Sequence, residues 1–190
     1  ISAQAVHDMA APHKFTIQPT RGEYYLLDKS EGSRVHHVIF QCPNENGKGV
    51  LVAPTVHGNL LVGPDAVRVE GDNTACTAAG LAFVSAAARR SVPSIRFGES
   101  IRKFAGVRAN VDTGVFVSGE AEGAPGCIDL AGMKSPGLSS APAVAKEVTK
   151  ILKAHGDLPA AKTDYRDGRT RVRFKECSPE EKARLIAEDP

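Results

Sequence analysis

Several features that define whole classes of protein are missing from this 190-residue sequence. No apolar run approaches the roughly 18 residues that a membrane-spanning helix needs, and no charged-then-apolar segment typical of a signal peptide is present. There is also little net charge, because 24 Lys and Arg residues are offset by 22 Asp and Glu residues to give +2. We therefore expect a soluble globular chain with no transmembrane segment and no nucleic acid as its main partner.

Cysteine is sparse and dispersed. The sequence has four cysteines and no C-x-x-C pair: Cys42, Cys76, Cys127 and Cys177. Such spacing predicts free thiols in a reducing cytoplasm, not a disulfide framework. Because the spacing of zinc or iron–sulfur ligands is absent too, we expect no metal site in this chain.

The phosphate-binding glycine motifs are also missing. No G-x-G-x-x-G and no P-loop occurs, so the chain is not expected to form a dinucleotide-binding fold of its own. A Ser-His-Asp hydrolase would have to combine Ser135 or Ser139 with His57 and Asp129. No G-x-S-x-G nucleophile elbow supports that interpretation, which is kept as an alternative.

The first third of the chain consists instead of short apolar or alternating runs separated by turn residues. Five of these runs are predicted strands: KFTIQPTRG, EYYLLDK, RVHHVIFQC, GVLVAPTV and NLLVGP. Strands this closely spaced need antiparallel or mixed pairing, since a parallel crossover takes a dozen or more residues. His57, Gly58 and Asn59 favour a hairpin turn between the last two strands.

Helices alternate with further strands in the remainder. We predict a helix at residues 74–90 capped by Asn73 or Thr74, and strands in SIRFGESIRKFAGVRAN, GVFVSGE and CIDLAG. A second helix, predicted at residues 141–155, would begin at Ser139 or Ser140, with Pro142 in its first turn, and end at Gly156.

A third helix would start with a capping box formed by Ser178 and Glu181. The predicted fold class is α+β, with a mixed, largely antiparallel sheet and flanking helices. We expect a domain at residues 1–156, followed by a linker and C-terminal helix at residues 157–190.

Three segments carry side chains suited to binding an anionic substrate. Arg21 and Tyr24 lie at a predicted strand–turn junction, His57 lies at the hairpin, and Arg108 follows a glycine by two positions. Arginine is a natural bidentate ligand for a carboxylate or phosphate. Taken one at a time, each is also consistent with surface salt bridging or hairpin chemistry.

The segment GMKSPGLSS has a possible mechanism of its own. A strand, a glycine-rich loop and a helix N-terminus with free N–H groups make a small anion-stabilising site. Gly137 carries no side chain, so a flat ring could pack against its backbone. The simpler interpretation is an ordinary strand-to-helix connection.

Together, four segments resemble a known family: RGEYYLLD, GVLVAPTVHGNLLVGPDA, FAGVRAN and GMKSPGLSSAPAVA. The chain is similar to FAD-dependent oxidoreductases of the D-amino-acid-oxidase-like superfamily, in the branch of glycerol-3-phosphate dehydrogenases and L-2-hydroxyglutarate oxidases. That family has an N-terminal Rossmann segment, and its longer members have a cysteine-rich C-terminal domain. Neither is found here, and the chain starts at Ile1. The resemblance therefore implies a substrate domain excised from a longer protein.

The resemblance also implies roles for individual residues in the full-length enzyme. The loop that would lie along the flavin of FAD comprises Gly132, Ser135, Pro136, Gly137, Leu138 and Ser139. The N–H groups of Gly137 and Leu138 would lie near the N1–C2=O edge of the ring. Arg108 would bind the acid group of the substrate, and Arg21 and Tyr24 would line the substrate side. His57 would act as general base or in substrate selection.

The expected function is transfer of a hydride from glycerol 3-phosphate or a small 2-hydroxy acid to FAD, with a separate electron acceptor as a possible partner. The excised piece alone is expected neither to hold FAD tightly nor to turn over substrate. The alternative from another class is a non-catalytic binding or scaffold domain that has lost its cofactor half.

Overall fold

A computed structural model describes residues 1–43, 49–156, 158, 160, 162–165, 168 and 171–188. The chain divides into two compact units, Ile1–Asp157 and Leu158–Pro190, each of which stands by itself below. The predicted turn at residues 43–49 and the predicted linker after residue 156 fall partly outside the described residues.

The first unit is built on an antiparallel sheet. Its strands are β1 (Ile17–Leu27), β2 (Leu51–Pro54), β3 (Leu60–Gly63), β4 (Val67–Arg68) and β5 (Ser100–Val111). Strands run in the order β2-β3-β1-β4, and β5 pairs with β1 along almost all of its length. A separate antiparallel pair joins β6 (Val117–Glu120) to β7 (Ile128–Ala131). The α+β class with largely antiparallel pairing is therefore confirmed.

Three α-helices flank these strands: α1 (Ala3–Ala10), α2 (Ala78–Ser91) and α3 (Gly137–His155). The main core lies between α2 and the sheet, where Val84 and Ala88 of the helix pack with Leu27, Val52 and Val62. A smaller core joins the start of β1 to the second sheet through Phe15, Val111 and Ala131. Burial of these apolar side chains holds the unit together.

The expectation of two strands separated by a turn at PTRG is wrong, because β1 is continuous through Pro19 and Gly22. The carbonyl of Pro19 accepts a hydrogen bond from Val69 N on the β4 side. The backbone N of the same residue faces that side, where β1 has only a short partner strand. The missing N–H of proline therefore costs little.

The predicted strand RVHHVIFQC is also wrong. Only Ile39 pairs with the sheet, through an isolated bridge to Val52. The residues before it form a 3-10 helix, Lys29–Arg34, which is fixed by the buried Glu31 carboxylate bonding Arg34 and Arg96. These ion pairs end the turn at the residue where the strand was expected to start.

Helix α2 begins later than predicted. Asn73 bonds Ala75 N locally, whereas the Thr77 hydroxyl accepts from Gly80 N at 3.0 Å and is the true N-cap. Thr77 is selected because its own N–H and hydroxyl both donate to Glu23 of β1. A tertiary contact thus decides between several residues that favour caps.

Helix α3 begins earlier than predicted, at Gly137, so Pro142 lies in its second turn and not in its first. The hydroxyls of Ser139 and Ser140 donate back to the Pro136 carbonyl and do not cap the helix. Gly156, in the left-handed conformation, ends the helix as expected.

The second unit contains a 3-10 helix, Phe174–Glu176, and α4 (Pro179–Glu188). The predicted capping box is confirmed: Ser178 N donates to Glu181 Oε2 and Glu181 N donates to Ser178 Oγ. In the described part of the chain, no helix combines the length and the apolar character needed to cross a membrane.

Candidate functional site

A cleft of about 980 Å³ opens along the sheet of the first unit. Its walls come from β1, β3 and β5, from one side of α2, and from the loop that precedes α3. Ala79, Gly80, Phe83, Ala87 and Arg90 of α2 recur at helical spacing along this wall. The cleft brings together segments that are more than 100 residues apart in sequence.

One face of the β1–β5 pair supplies a polar wall. Arg108 lies opposite Thr20, and Phe104 lies opposite Tyr24, so alternation places all four side chains on the same face. The Tyr24 hydroxyl accepts from Arg108 Nη2 at 3.4 Å, and the Tyr24 ring stacks on Phe104 with centroids 5.1 Å apart. Asn110 donates to Thr20 Oγ1 at 2.8 Å. These contacts orient Arg108 toward the cleft.

Among the charged side chains that line the largely apolar cleft, cations outnumber acids. Arg90, Arg108 and Lys134 reach it, and among the described residues none of the three has a carboxylate within ion-pair distance. Asp65 is the acidic side chain among the described lining residues. Such a lining favours an anionic ligand, because unpaired cations focus negative charge into a cleft.

Arg21 differs from Arg108 although both line the cleft. Its Nη2 forms an ion pair with Glu23 Oε1 at 2.9 Å, and the side chain is nearly fully buried. The structure thus places Arg21 in an internal ion pair, with its charge compensated. The role predicted for Arg21 as a substrate ligand remains a prediction. The geometry favours a supporting role behind the polar wall.

His57 lies at the exposed tip of the β2–β3 hairpin, whose turn is closed by Gly58 N donating to Thr55 O. The hairpin itself is confirmed, with Gly58 at φ +83°. His57 is not among the residues that line the cleft in the described part of the chain. The hydrolase alternative loses its acid as well, since Asp129 accepts from His7 Nδ1 at 2.8 Å.

The loop before α3 meets the cleft at Lys134 and Ser135. Gly137 N donates to the Lys134 carbonyl, so one of the two N–H groups expected to face a flavin is already used in the turn. The N–H groups of Leu138 and Ser139 have no acceptor among the described residues. Leu138 is 93% exposed, and near Gly137 the closest atom to an added Cβ would be Met133 Cβ at 3.5 Å.

These features of the loop fit a flat cofactor. An uncapped helix N-terminus with free N–H groups stabilises negative charge, and an uncovered glycine backbone leaves room for a ring. Gly132, at φ +67°, allows the loop to turn close against Val111, which a Cβ would approach to 2.8 Å.

Several residues of the cleft lining and of the polar wall beside it were not identified from the sequence. No role was predicted for Lys134, although it lies in the glycine-rich loop, or for Thr20, Phe104, Asn110 and Asp65. For Phe104 and Asn110 the signal was period-two alternation with Arg108 along one strand. For Thr20 the signal was the same alternation with Tyr24, whereas for Asp65 no local signal exists, because its position depends on a tertiary contact with Glu23.

The antiparallel sheet with flanking helices is the fold of the DAO-like flavoproteins. Residues 2–151 match the DAO family, described as "FAD dependent oxidoreductase", and the chain belongs to that family. FAD is accordingly confirmed as the cofactor of the family, as the resemblance implied.

Two relatives are particularly similar. The chain is 46% identical over 190 residues to a "Glycerol 3-phosphate dehydrogenase" from Caloramator mitchellensis, covering 98% of this chain and 39% of that protein. It is 40% identical over 139 residues to a "Glycerol 3-phosphate oxidase" from Mycoplasma genitalium, covering 71% of this chain and 36% of that protein. The chain thus spans well under half the length of these relatives, as the resemblance led us to expect.

Solved structures agree with the fold. The L-alpha-glycerophosphate oxidase from Mycoplasma pneumoniae, dithionite-reduced and with FAD bound, superposes with a TM-score of 0.70 at 30% identity, covering 80% of this chain and 40% of that one. The glycine oxidase from Bacillus cereus shares the fold at a TM-score of 0.62 and 17% identity, covering 74% of this chain and 37% of that one.

Proposed function

We propose that the full-length protein oxidises glycerol 3-phosphate, transferring a hydride from its C–OH carbon to FAD. The observation that carries the proposal is the cleft wall in which Arg108 and Lys134 have no described carboxylate partner. The proposal is supported by two relatives at 46% and 40% identity that are named for glycerol 3-phosphate. A phosphate dianion suits two cations better than a single carboxylate does.

Each residue of the polar wall has a defined task in this proposal. Arg108 binds the phosphate through its guanidinium, and Lys134 adds a second charge. Tyr24 holds Arg108 in place through its hydroxyl, while Phe104 fixes the Tyr24 ring by stacking. Thr20 and Asn110 offer hydrogen-bonding groups for the glycerol hydroxyls.

The loop before α3 would hold the flavin. Its residues are Gly132, Ser135, Pro136, Gly137, Leu138 and Ser139, and the free N–H groups of Leu138 and Ser139 offer stabilisation of about 1 kcal/mol to negative charge at the ring. FAD, when bound, supplies the hydride acceptor. The protein's contribution is to orient the substrate and to stabilise charge.

His57 is given no proton-transfer role in this proposal. A general base must reach the hydroxyl that it deprotonates, and His57 lies at the hairpin tip, apart from the described lining residues. An effect of His57 on substrate selection is retained as a prediction.

Location and electron transfer complete the proposal. The four cysteines are free thiols, which supports a cytoplasmic setting. The reduced flavin must pass its electrons to an acceptor, so a small molecule or partner protein that accepts them is part of the proposed cycle.

The test is reduction of the flavin in the full-length protein under anaerobic conditions. We expect glycerol 3-phosphate to bleach the visible flavin absorbance, whereas L-2-hydroxyglutarate and lactate at the same concentration should not. Bleaching by a 2-hydroxy acid alone would favour the alternative substrate class; the 27% identity to the "L-2-hydroxyglutarate dehydrogenase, mitochondrial" of Arabidopsis thaliana keeps that class in the comparison. A folded but colourless protein would support the scaffold alternative.

A further inference from the structure

A buried charge cluster lies behind the polar wall, with two carboxyl groups and one cation. Glu23 accepts two hydrogen bonds, from Thr77 Oγ1 at 2.8 Å and from Thr77 N at 2.7 Å, and its Oε1 forms an ion pair with Arg21 Nη2 at 2.9 Å. It also lies at the N-terminus of α2, where the helix dipole favours negative charge. Both carboxylate oxygens of Glu23 therefore have partners of their own.

Asp65 is surrounded differently. Its Oδ1 accepts from Glu23 N at 2.7 Å, but its Oδ2 is buried with no partner among the described residues. The residue is 4% exposed. The nearby cation, Arg21, is already paired with Glu23. A buried carboxyl without its own cation takes up a proton, because the uncompensated charge is costly away from water.

The two carboxyl groups also face each other across Gly80. A Cβ built on Gly80 would lie 2.5 Å from Glu23 Oε1 and 2.7 Å from Asp65 Oδ2. The charge of Glu23 disfavours ionisation of Asp65 in the same buried site. Since Glu23 has the donors, the proton belongs on Asp65.

The other groups around Asp65 agree with this assignment. Burial, which is the largest influence, raises the pKa of Asp65, and the charge of Glu23 raises it further against the opposing effect of Arg21. Cys76 faces the cluster from the segment before α2, and burial raises the pKa of its thiol, so it adds no charge there.

We propose that Asp65 is held as a neutral carboxylic acid and that its proton keeps the cleft cationic for a dianionic substrate. With Asp65 neutral, no described residue of the lining carries negative charge, while Arg90, Arg108 and Lys134 remain positive. Ionisation of Asp65 would place a negative charge in the same wall. The substrate part of this inference rests on the proposed function; the protonation state of Asp65 does not.

The consequence is a pH-dependent Michaelis constant. As pH rises through the pKa of Asp65, the KM for glycerol 3-phosphate should rise by about 3-fold to 10-fold, the size expected for one added charge near a partly screened site. Asp65→Asn keeps an oxygen for Glu23 N and cannot ionise. Its KM should therefore change less than that of the wild type over the same pH range, and titration of the substrate itself cancels in the comparison.

The experiment uses the full-length, FAD-loaded protein in two measurements. The first is infrared spectroscopy at neutral pH. We expect the wild type to show a protonated-carboxyl band, and the difference spectrum between wild type and Asp65→Asn to show that the variant has lost it. The second is the ratio of KM at about pH 9 to KM at about pH 6, compared between wild type and Asp65→Asn. Asp72→Asn, at an exposed position, is the matched control and should reproduce both wild-type results.

Each outcome has a defined meaning. Loss of carboxylate bands in the difference spectrum, or no protonated-carboxyl band in the wild type, overturns the neutral Asp65; the wild-type spectrum decides this even if the variant does not fold. A protonated Asp65 with equal KM ratios in wild type and variant overturns the electrostatic role. A protein that shows the band but does not oxidise glycerol 3-phosphate overturns the proposed function and leaves the neutral Asp65 supported.

Discussion

Two arginines of the same sheet line the cleft, and they differ in whether a carboxylate compensates their charge. Arg21 is buried and paired with Glu23, whereas Arg108 is exposed and touches only the Tyr24 hydroxyl among its described partners. An arginine whose charge is already compensated has little to offer a substrate anion, while an uncompensated one has much. Assignment of a binding role therefore depends on the partner of each guanidinium.

Arg108→Ala should raise the KM of the full-length protein for glycerol 3-phosphate by about 10-fold or more, because a hydrogen bond to a charged group worth about 1.5–3 kcal/mol is lost. Steady-state kinetics would measure the change. Arg102→Ala is the matched control, since Arg102 is an exposed arginine of the same strand that does not line the cleft. Equal KM values in wild type and Arg108→Ala would contradict the assigned role.

Gly80→Ala should destabilise the protein by about 1–3 kcal/mol, a typical cost of overpacking a buried site. The added methyl would meet the Glu23 and Asp65 carboxyl oxygens at 2.5 and 2.7 Å. Gly98→Ala is the control, because no atom lies within 4 Å of the position that its methyl group would take and its φ is ordinary. The free energy of unfolding from chemical denaturation distinguishes them, and equal losses would refute the argument.

At the scale of elements, β1 divides the domain into a binding side and a supporting side. Thr20 and Tyr24 belong to the polar wall, while Glu23 and Tyr25 point toward α2 and the core. Alternation along one strand thus places a cleft-lining residue and a helix anchor at neighbouring positions. Helix α2 is held at its first turn by this anchor, through Thr77 and Glu23.

Thr77→Ala should lower the free energy of unfolding by about 0.5–2 kcal/mol, the usual cost of losing an N-cap. The hydroxyl is the cap of α2 and also donates to Glu23 at 2.8 Å, so we expect the upper part of that range. Thr77→Ser should restore most of the loss. Ser85→Ala, at a half-buried position in the middle of the same helix where the hydroxyl bonds only the Ala82 carbonyl among the described residues, serves as control and should change little.

At the scale of the whole first unit, ion pairs connect segments that are distant in sequence. His7 of α1 bonds Asp129 of β7, and His155 of α3 bonds Glu120 of β6 at 3.0 Å. The two nitrogens of His7 face the Asp129 carboxylate and the Pro12 carbonyl, both acceptors. This geometry requires a protonated ring with two donors.

Stability should therefore fall as pH rises above about 6.5. The hydrogen bond to the Pro12 carbonyl is the largest influence and raises the pKa of His7. The contact with Asp129 raises it further, against the opposing effect of burial. A raised pKa in the folded state means that the stabilisation is present below the unfolded value and is lost as pH rises through the folded value.

His7→Gln should remove this part of the pH dependence of the thermal unfolding midpoint. His13→Gln, at an exposed histidine that contacts Asp8, is the control and should retain the wild-type slope. The raised pKa of Asp65 also makes stability fall as pH rises. The pH slope of each variant is therefore compared with that of the wild type, in which Asp65 contributes equally. If the unfolding midpoint of His7→Gln depends on pH as steeply as that of the wild type, the role of the His7–Asp129 pair is contradicted.

Much of the local structure follows from sequence alone. The β2–β3 hairpin with Gly58 in its turn, the strands at residues 100–111 and 128–131, the capping box at Ser178 and the Gly156 helix end all depend on neighbouring residues. The family can also be recognised from sequence alone, because each of its four motif segments is a continuous run of residues. The polar loop before α3 was recognised for the same reason, although its helix starts earlier than predicted.

What the sequence could not determine depends on pairing across the chain. Pro19 continues a strand because the neighbouring edge is short, Thr77 caps α2 because Glu23 holds it, and Arg21 is neutralised by a residue two positions away whose burial comes from α2. Asp65 became a candidate only because folding brings its side chain against Glu23 N and Gly80. Sequence determined the chemistry that the chain carries, and tertiary structure decided which charges are compensated, since an ion pair forms only when folding brings its partners together.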